Sequence, residues 1–342
     1  MIHAFSIETS CDETSVAIVR NDRKIISQIT INQSSHKKFG GVVPEIASRA
    51  HLQILQKIIP ESFKKAKLTI NDIDFFCATC GPGLIGGLLV GSTIAKLMAI
   101  GANKPFYPIN HLEGHLISPS FNNELKFPSI SILLTGGHTQ IYMLKSPNEF
   151  KILSESIDDA MGECFDKVAK LIKLPYPGGP EIEKLAKKGN SEKFKLPHPL
   201  NKKNEINFSF SGIKTAVSLI VKRQKKIDRK FKENLSASFQ KTIIEILIDR
   251  ITKIIKKLNN ENTEIKNFSL VGGVAANKAI RESLLSLKIM KNYNLIFPPL
   301  ELCGDNAAMI ALVGHRKFKL KKKSDYFFSA NPRFEIIQSG IK

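Results

Sequence analysis

The chain has 342 residues, 42% hydrophobic and 24% charged, enough for two domains that each bury a core. Low-complexity, collagen-like and disulfide-framework proteins are excluded, and five scattered cysteines place the chain in a reducing cytoplasm. A net charge of +20 favours a polyanionic partner such as nucleic acid, although a lysine-rich skew also arises on any solvated surface of an AT-rich genome's product.

No charged leader with an apolar core opens the chain; "HAFSIETSCDETSVAIVRNDRKIISQITI" predicts strand, polar turn, strand, charged turn, strand. "IDFFCATCGPGLIGGLLVGSTIAKLMA" then predicts a strand, a glycine turn and a helix. The apolar run Leu84 to Ala102 contains Lys96 and four glycines, so it reads as a buried helix rather than a membrane span. After a seam at Asn123 to Ser129 the order repeats. "SISILLTGGHTQIYMLKSPNEFKILSES" is a second meander, and "FSLVGGVAANKAIRESLLSL" a second strand–glycine–helix unit. A helical insertion over Asp158 to Gly189 and an amphipathic helix over Lys232 to Asn259 lie between them. The duplication predicts two related α/β domains, 1–126 and 127–342, facing a cleft.

Glycine turns offer backbone N–H groups to a phosphate and let it approach closely. "TGGHT" (Thr135 to Thr139) and "VGGVAAN" (Val271 to Asn277) sit in matching places of two half-repeats, the latter ahead of a helix N-terminus, and together they favour a phosphate site. Each is equally able to be a plain turn. Basic clusters at Val221 to Lys232, Thr252 to Lys257 and Lys317 to Lys323 are candidate RNA contacts or solvated helix faces.

"NHLEGH" places His111 and His115 four apart, on one face of a helix, where both imidazoles can share a metal. Glu113 stands two residues after His111, about 200° round the helix, so it cannot serve as the base of an H-E-x-x-H protease. Further ligands would be oxygens, and Asp305 in "ELCGDNAAMIA" is a candidate ligand or a helix N-cap. Asp12 and Glu13 in "SCDETS" are solvated turn acids or groups that handle a proton or position a metal. Asp159, Glu163 and Asp166 share a helix face, with Asp166 far enough into it to suit a ligand such as a ribose hydroxyl. Cys77 and Cys80 have redox-motif spacing but lack a helix starting at the first cysteine, and read as coincidence.

"IETSCDET", "GGVVPEIASRAH", "NHLEGH", "TGGHTQ", "DDAMGECFDKVAKLIKLPYPGGP", "FSFSGIKTA", "VGGVAANKAIR" and "CGDNAAMIA" follow one another over Ile7 to Gly314. In this order they resemble the bacterial tRNA adenosine threonylcarbamoyltransferase family. The resemblance implies an α/β, actin/hexokinase/Hsp70-like duplicated two-domain fold with a central nucleotide cleft. It also implies transfer of threonylcarbamoyl from threonylcarbamoyl-AMP to the exocyclic amine of the adenosine 3′ of the anticodon, in tRNAs reading codons that begin with A. By position it makes His111, His115 and Asp305 ligands of one Fe2+, with Zn2+ the other candidate. With domains at 1–126 and 127–342, Asp305 falls in the second domain, so the expected metal bridges the cleft. Leu133, Leu134, Thr135, Gly136 and Gly137 match the substrate-binding turn; Asp166, Gly179 and Asn277 match further adenylate contacts; Asp12 and Glu13 match acids of the transfer step. Implied partners are tRNA, an inactive paralogue as heterodimer partner and a small ATPase subunit, with no membrane. The chain departs from the family at Leu133, where relatives outside bacteria have a Tyr ligand, at Gly304, usually Thr, and at Cys77 and Cys80. A metallopeptidase and a non-catalytic ATP-binding scaffold are the alternative readings.

Overall fold

The computed structural model describes residues 1–21, 23–33, 36, 41–202 and 204–336, so Gly40 of the "GGVVPEIASRAH" motif lies outside the described residues. The chain divides into two units, one of Met1–Leu125 with Pro298–Lys342, the other of Lys126–Phe297.

In the first unit β1 (His3–Glu8), β2 (Glu13–Arg20) and β3 (Lys24–Asn32) form the antiparallel meander, and β4 (Phe75–Gly81) and β5 (Phe106–Asn110) extend it in parallel. The sheet order is β3-β2-β1-β4-β5. Because strand side chains alternate, each strand feeds two cores. Phe5, Ile7, Phe76 and Ala78 face the core shared with helices α1 (Pro44–Ala66) and α2 (Ile85–Gly101). Ala4, Phe75 and Cys77 face the other, which the apolar helix near the chain's end fills with Met309, Ile310 and Val313. Cys77 and Cys80 therefore lie in different cores on opposite faces of β4, both as buried free thiols, so they form no redox pair. Burial pushes the Cys80 thiol up to about 12.

The glycines of α2 have a packing reason. A Cβ on Gly87 would stand 2.3 Å from the carbonyl oxygen of Thr9, and one on Gly91 would stand 2.1 Å from its hydroxyl. The two lie one turn apart, so α2 lies flush on the end of β1, where the acidic turn begins.

The second unit repeats the plan. β6 (Ser129–Leu134), β7 (Thr139–Ser146) and β8 (Glu149–Glu155) form the meander, with β9 (Asn267–Val271) and β10 (Asn294–Ile296) added in parallel. Its order, β10-β9-β6-β7-β8, is the first sheet's order with equivalent strands in equivalent places. The expected insertion forms α4 (Met161–Leu171) and α5 (Gly178–Ala186), and α6 (Ser211–Arg223) precedes the long α7 (Arg229–Asn260). Helix α8 (Lys278–Ser286) follows β9. These helices and the strands share one core around Ile132, Phe165, Phe239 and Leu270.

The seam falls where the sequence places it, but the expected second domain does not run to 342. Pro298–Lys342 belong to the first unit, because α9 (Ala307–Lys319) completes the core on one face of the first sheet. Among the described residues no helix is long and apolar enough to cross a membrane.

Candidate functional site

Helix α3 (His111–Ile117) follows β5 directly, and Asn110 starts it by accepting from the N–H groups of Leu112 (2.9 Å) and Glu113 (3.3 Å). The two histidines are thereby set at the carboxyl end of a buried strand, on one face of the helix. Gly114 lies between them at a close approach: a Cβ there would stand 3.0 Å from Met309 Cγ and 3.1 Å from Ile310 Cδ1. The missing side chain lets α9 come against α3, which carries the residues just before α9 to the histidines.

Asp305 is one of those residues, and it is no helix cap. Asn306 caps α9, accepting from the Met309 N–H at 3.0 Å, so the Asp305 carboxylate is left for other partners. Its Oδ1 lies 3.1 Å from His115 Nε2 and 3.4 Å from His111 Nε2, and the ligand atoms of the three residues lie within 4.8 Å of one another. All three belong to the first unit, which corrects the expectation that Asp305 reaches the histidines from the second domain. A side chain at Gly304 would meet open space, so the threonine usual there has room but no lost contact to replace.

Glu8, which the sequence reading passed over, completes the group. It is fully buried at the end of β1, and its Oε2 lies 3.0 Å from His111 Nδ1 and accepts from the Thr79 hydroxyl. Its Oε1 accepts from the Ser10 N–H at 2.6 Å. The available signal was an acid closing an otherwise apolar strand, where burial demands a partner.

Two imidazoles thus meet two carboxylates, Glu8 and Asp305, whose charges also reach Glu13 in the acidic turn. Burial works against a charged His111, but the charges of Asp305 and Glu8 hold it well above the ordinary histidine range. Burial keeps the neighbouring His115 low. Despite its own burial, the Asp305 carboxyl is held below the usual range by the two histidines. Burial and the charges of Asp305 and Asp12 raise Glu13 well above the carboxylate range. Two nitrogens and one oxygen converging where negative charge is in excess suit a divalent cation, and a carboxylate behind one histidine is the usual support for such a ligand.

Asp12 and Glu13 lie where the sequence puts them, Asp12 in the turn and Glu13 opening β2. A buried network fixes that turn: His51 Nε2 lies 3.0 Å from the Cys11 carbonyl, and the Gln33 N–H donates to the Asp12 carbonyl at 3.1 Å. Glu113 is buried and acts on the charge of Arg316, outside the histidine–aspartate group, as its helix position requires.

The second unit gathers the other expected residues. Leu133 and Leu134 are fully buried in β6 and hold the root of the turn, whereas Gly136 and Gly137 are exposed at its tip. The Thr135 hydroxyl accepts from the N–H groups of Gly137 (3.3 Å) and His138 (2.9 Å). The Gly162 N–H donates to the Thr135 carbonyl at 3.2 Å, joining the turn to the first residues of α4. Gly272 has φ +93°, and a Cβ on it would stand 2.4 Å from the Leu134 carbonyl oxygen, so only glycine brings the second loop beside the first. That loop is not directly a helix N-terminus: a 3-10 turn, Gly273–Ala276, intervenes, and Asn277 caps α8 through the Ile280 N–H at 3.1 Å. Asp166 Oδ1 accepts from the Gly178 N–H at 2.6 Å and so anchors the start of α5, beside Gly179. Asp159 and Glu163, from the same expected acidic face, are instead ion-paired to Lys167 at 2.7 and 2.8 Å. Open space surrounds Gly136, Gly137, Gly179 and Gly273, leaving room for a ligand against exposed backbone.

The fold is shared with solved structures at low identity. HypF of T. kodakarensis matches with a TM-score of 0.62 and 13% identity, over 93% of this chain and 48% of that one. Component A of the (R)-2-hydroxyglutaryl-CoA dehydratase of Acidaminococcus fermentans matches at 0.53 and 16%, over 93% and 99%. The architecture is that of the actin/Hsp70-like ATPase-fold proteins. Within that class, the family model TsaD, tRNA N6-adenosine threonylcarbamoyltransferase, matches residues 24–312. Proteins of that name from Pelagibacter ubique (strain HTCC1062) and Wolbachia pipientis wMel are 47% and 45% identical, covering 96% and 97% of this chain and 94% and 98% of their own length. The chain belongs to the TsaD family of tRNA N6-adenosine threonylcarbamoyltransferases.

Proposed function

We propose that the protein moves the threonylcarbamoyl group of threonylcarbamoyl-AMP to the exocyclic amine of the adenosine 3′ of the anticodon, in tRNAs reading codons that begin with A. Its family carries the reaction class. The observation that carries the chemistry is the convergence of His111, His115 and Asp305 on one point, with Glu8 behind His111.

His111, His115 and Asp305 would hold one Fe2+, for which imidazole and carboxylate donors are suited, with Zn2+ the competing candidate. When bound, the ion supplies Lewis-acid polarisation of the threonylcarbamoyl group. Glu8 fixes the His111 ring so that Nε2 faces the ligand point. The mixed anhydride is already activated, so the remaining work is to orient the amine and take its proton. Asp12 and Glu13 are the acids of the turn beside this group, and we assign proton handling to them. Thr135, Gly136, Gly137 and Gly179 give the adenylate open backbone to lie against. Leu133, Leu134, Asp166 and Asn277 set the loops that present it.

A metallopeptidase is not favoured, since Glu113 is buried away from the group and cannot activate a water there. A bare ATP-binding scaffold has no use for three converging ligands. The heterodimer reading is supported by an exposed apolar row on α2, namely Ile85, Leu89, Leu97 and Ile100, 47–62% exposed, with Leu52 of α1. Such a patch marks a protein interface, and a paralogue would offer an equivalent helix pair. The small ATPase subunit rests on the family resemblance, and a cytoplasmic location rests on five free thiols and a tRNA substrate.

Reconstitution with tRNA, threonine, bicarbonate, ATP, the adenylate-forming enzyme and both partners, read by nucleoside mass spectrometry, tests the reading. Threonylcarbamoyladenosine is expected, and its absence from the complete mixture would sink it. Purified protein should carry about one iron per chain, lost in His111→Ala and His115→Ala; full retention in both removes the ligand assignment.

A further inference from the structure

We propose that the groove between α4 and α6 is a binding track for the ribose–phosphate backbone of the tRNA substrate. This rests on the tRNA reading above and adds where the second unit holds that substrate.

The groove has a volume of about 460 Å³. From α4 come Lys167, Lys170 and Leu171; from α6 come Lys214, Ser218 and Lys222, with Thr215 and Leu219 beside them. Residues 214, 218 and 222 repeat every fourth position, about one turn each, so they lie along one face of the helix. The two helices start together. Asp158 accepts from the Phe210 N–H at 2.7 Å and the Ser211 hydroxyl at 2.8 Å, and Asp159 pairs with Lys167 at 2.7 Å and Lys214 at 3.7 Å.

Positive charge is therefore offset at the end where the helices begin. At the other end it is not: among the described residues no ion pair reaches Lys170 or Lys222, and both are exposed. Beyond Lys222 the exposed cations Arg223, Lys225 and Lys226 carry the charge onward along the surface. Facing lysines repel, so an anion between them relieves the repulsion. Leu171 and Leu219, the latter 49% exposed, add an apolar floor with the lysine stems. A narrow positive track with an apolar floor, continued by a basic run, matches a repeating phosphate with apolar sugar faces better than it matches a compact carboxylate cluster of an acidic protein.

The test is the Lys170→Glu/Lys222→Glu double variant of the full chain, titrated against unmodified tRNA by fluorescence anisotropy over a range of salt. A charge-matched exposed pair in the 3-10 turn Lys288–Asn292, Lys288→Glu/Lys291→Glu, outside every basic cluster, is the control. The groove variant is expected to bind at least about tenfold more weakly at low salt, with the slope of log K against log salt reduced by about two. The control should change much less, and circular dichroism should show both variants folded. Equal losses in the two pairs would reduce the effect to net charge and overturn the track. So would unaltered tRNA binding, or loss confined to an acidic protein partner. Product formation by the wild-type chain is scored separately. A failed transferase reading then shows as absent product with binding intact, and a failed groove assignment as product and binding both insensitive to the two lysines.

Discussion

Glu8 Oε2 lies 3.0 Å from His111 Nδ1, and that contact turns the opposite ring nitrogen, Nε2, toward Asp305. A carboxylate behind a ligating histidine fixes its tautomer and raises its basicity. Glu8→Gln keeps the shape but removes the charge, so metal affinity should fall by about 10–100-fold while the fold persists. Calorimetric titration of the metal-stripped protein measures this, and an unchanged affinity would reduce Glu8 to a structural hydrogen-bond partner.

The turn acids are expected to differ. Burial and the charges of Asp305 and Asp12 hold the Glu13 carboxyl well above its ordinary range, so Glu13 keeps its proton and is the weaker candidate for a base. Asp12→Asn should therefore lower kcat by about 10²–10⁴-fold and Glu13→Gln by less, both with bound metal retained. Single-turnover transfer rates decide it; the reverse order would exchange the two roles.

Gly87→Ala tests the seat of α2 on β1. The new Cβ would stand 2.3 Å from the Thr9 carbonyl, a backbone atom that cannot swing aside. Overpacking of about 1–3 kcal/mol should outweigh the helix-propensity gain of about 1 kcal/mol, giving a lower midpoint in urea. Because Thr9 adjoins Glu8, metal affinity should fall as well. A variant of unchanged or higher midpoint would show that α2 slides freely.

Asp158 gives a pH signature. Burial would raise its carboxyl, but hydrogen bonds from Ser209, Phe210 and Ser211 lower it below 3.8. A depressed acid contributes stability that is present above the unfolded value and lost as pH falls through the folded one. Asp158→Ala should cost about 1 kcal/mol at neutral pH, a modest figure because the group is exposed to solvent. The gap to wild type should close as pH drops below about 3.8. Urea unfolding at several pH values reads it, and a gap independent of pH would assign the effect to packing.

The meanders, the seam near Asn123 to Ser129 and the long helix α7 were legible in the sequence because they rest on local signals: period-two strands, glycine turns, an apolar stripe. The "NHLEGH" spacing likewise determined that His111 and His115 share a face and that Glu113 does not. Residue identities at the "TGGHT" and "VGGVAAN" loops were enough to mark turns, but not to show that Gly272 seats one loop on the other's carbonyl.

Only the tertiary structure decided where Asp305 belongs. Asp305 and His115 are 190 residues apart, and no periodicity spans that distance. The chain's return from the second unit to the first, driven by α9 filling one face of the first sheet, places Asp305 with the histidines. Glu8 became visible for the same reason: a buried carboxylate is explained by its partners, and those partners, Thr79 and His111, come from β4 and the start of α3. The sequence by itself determined the family and marked His111, His115 and Asp305 as candidate donors. Packing of α9 against α3 across Gly114, a contact that apolar burial pulls together from distant segments, decided that they form one site.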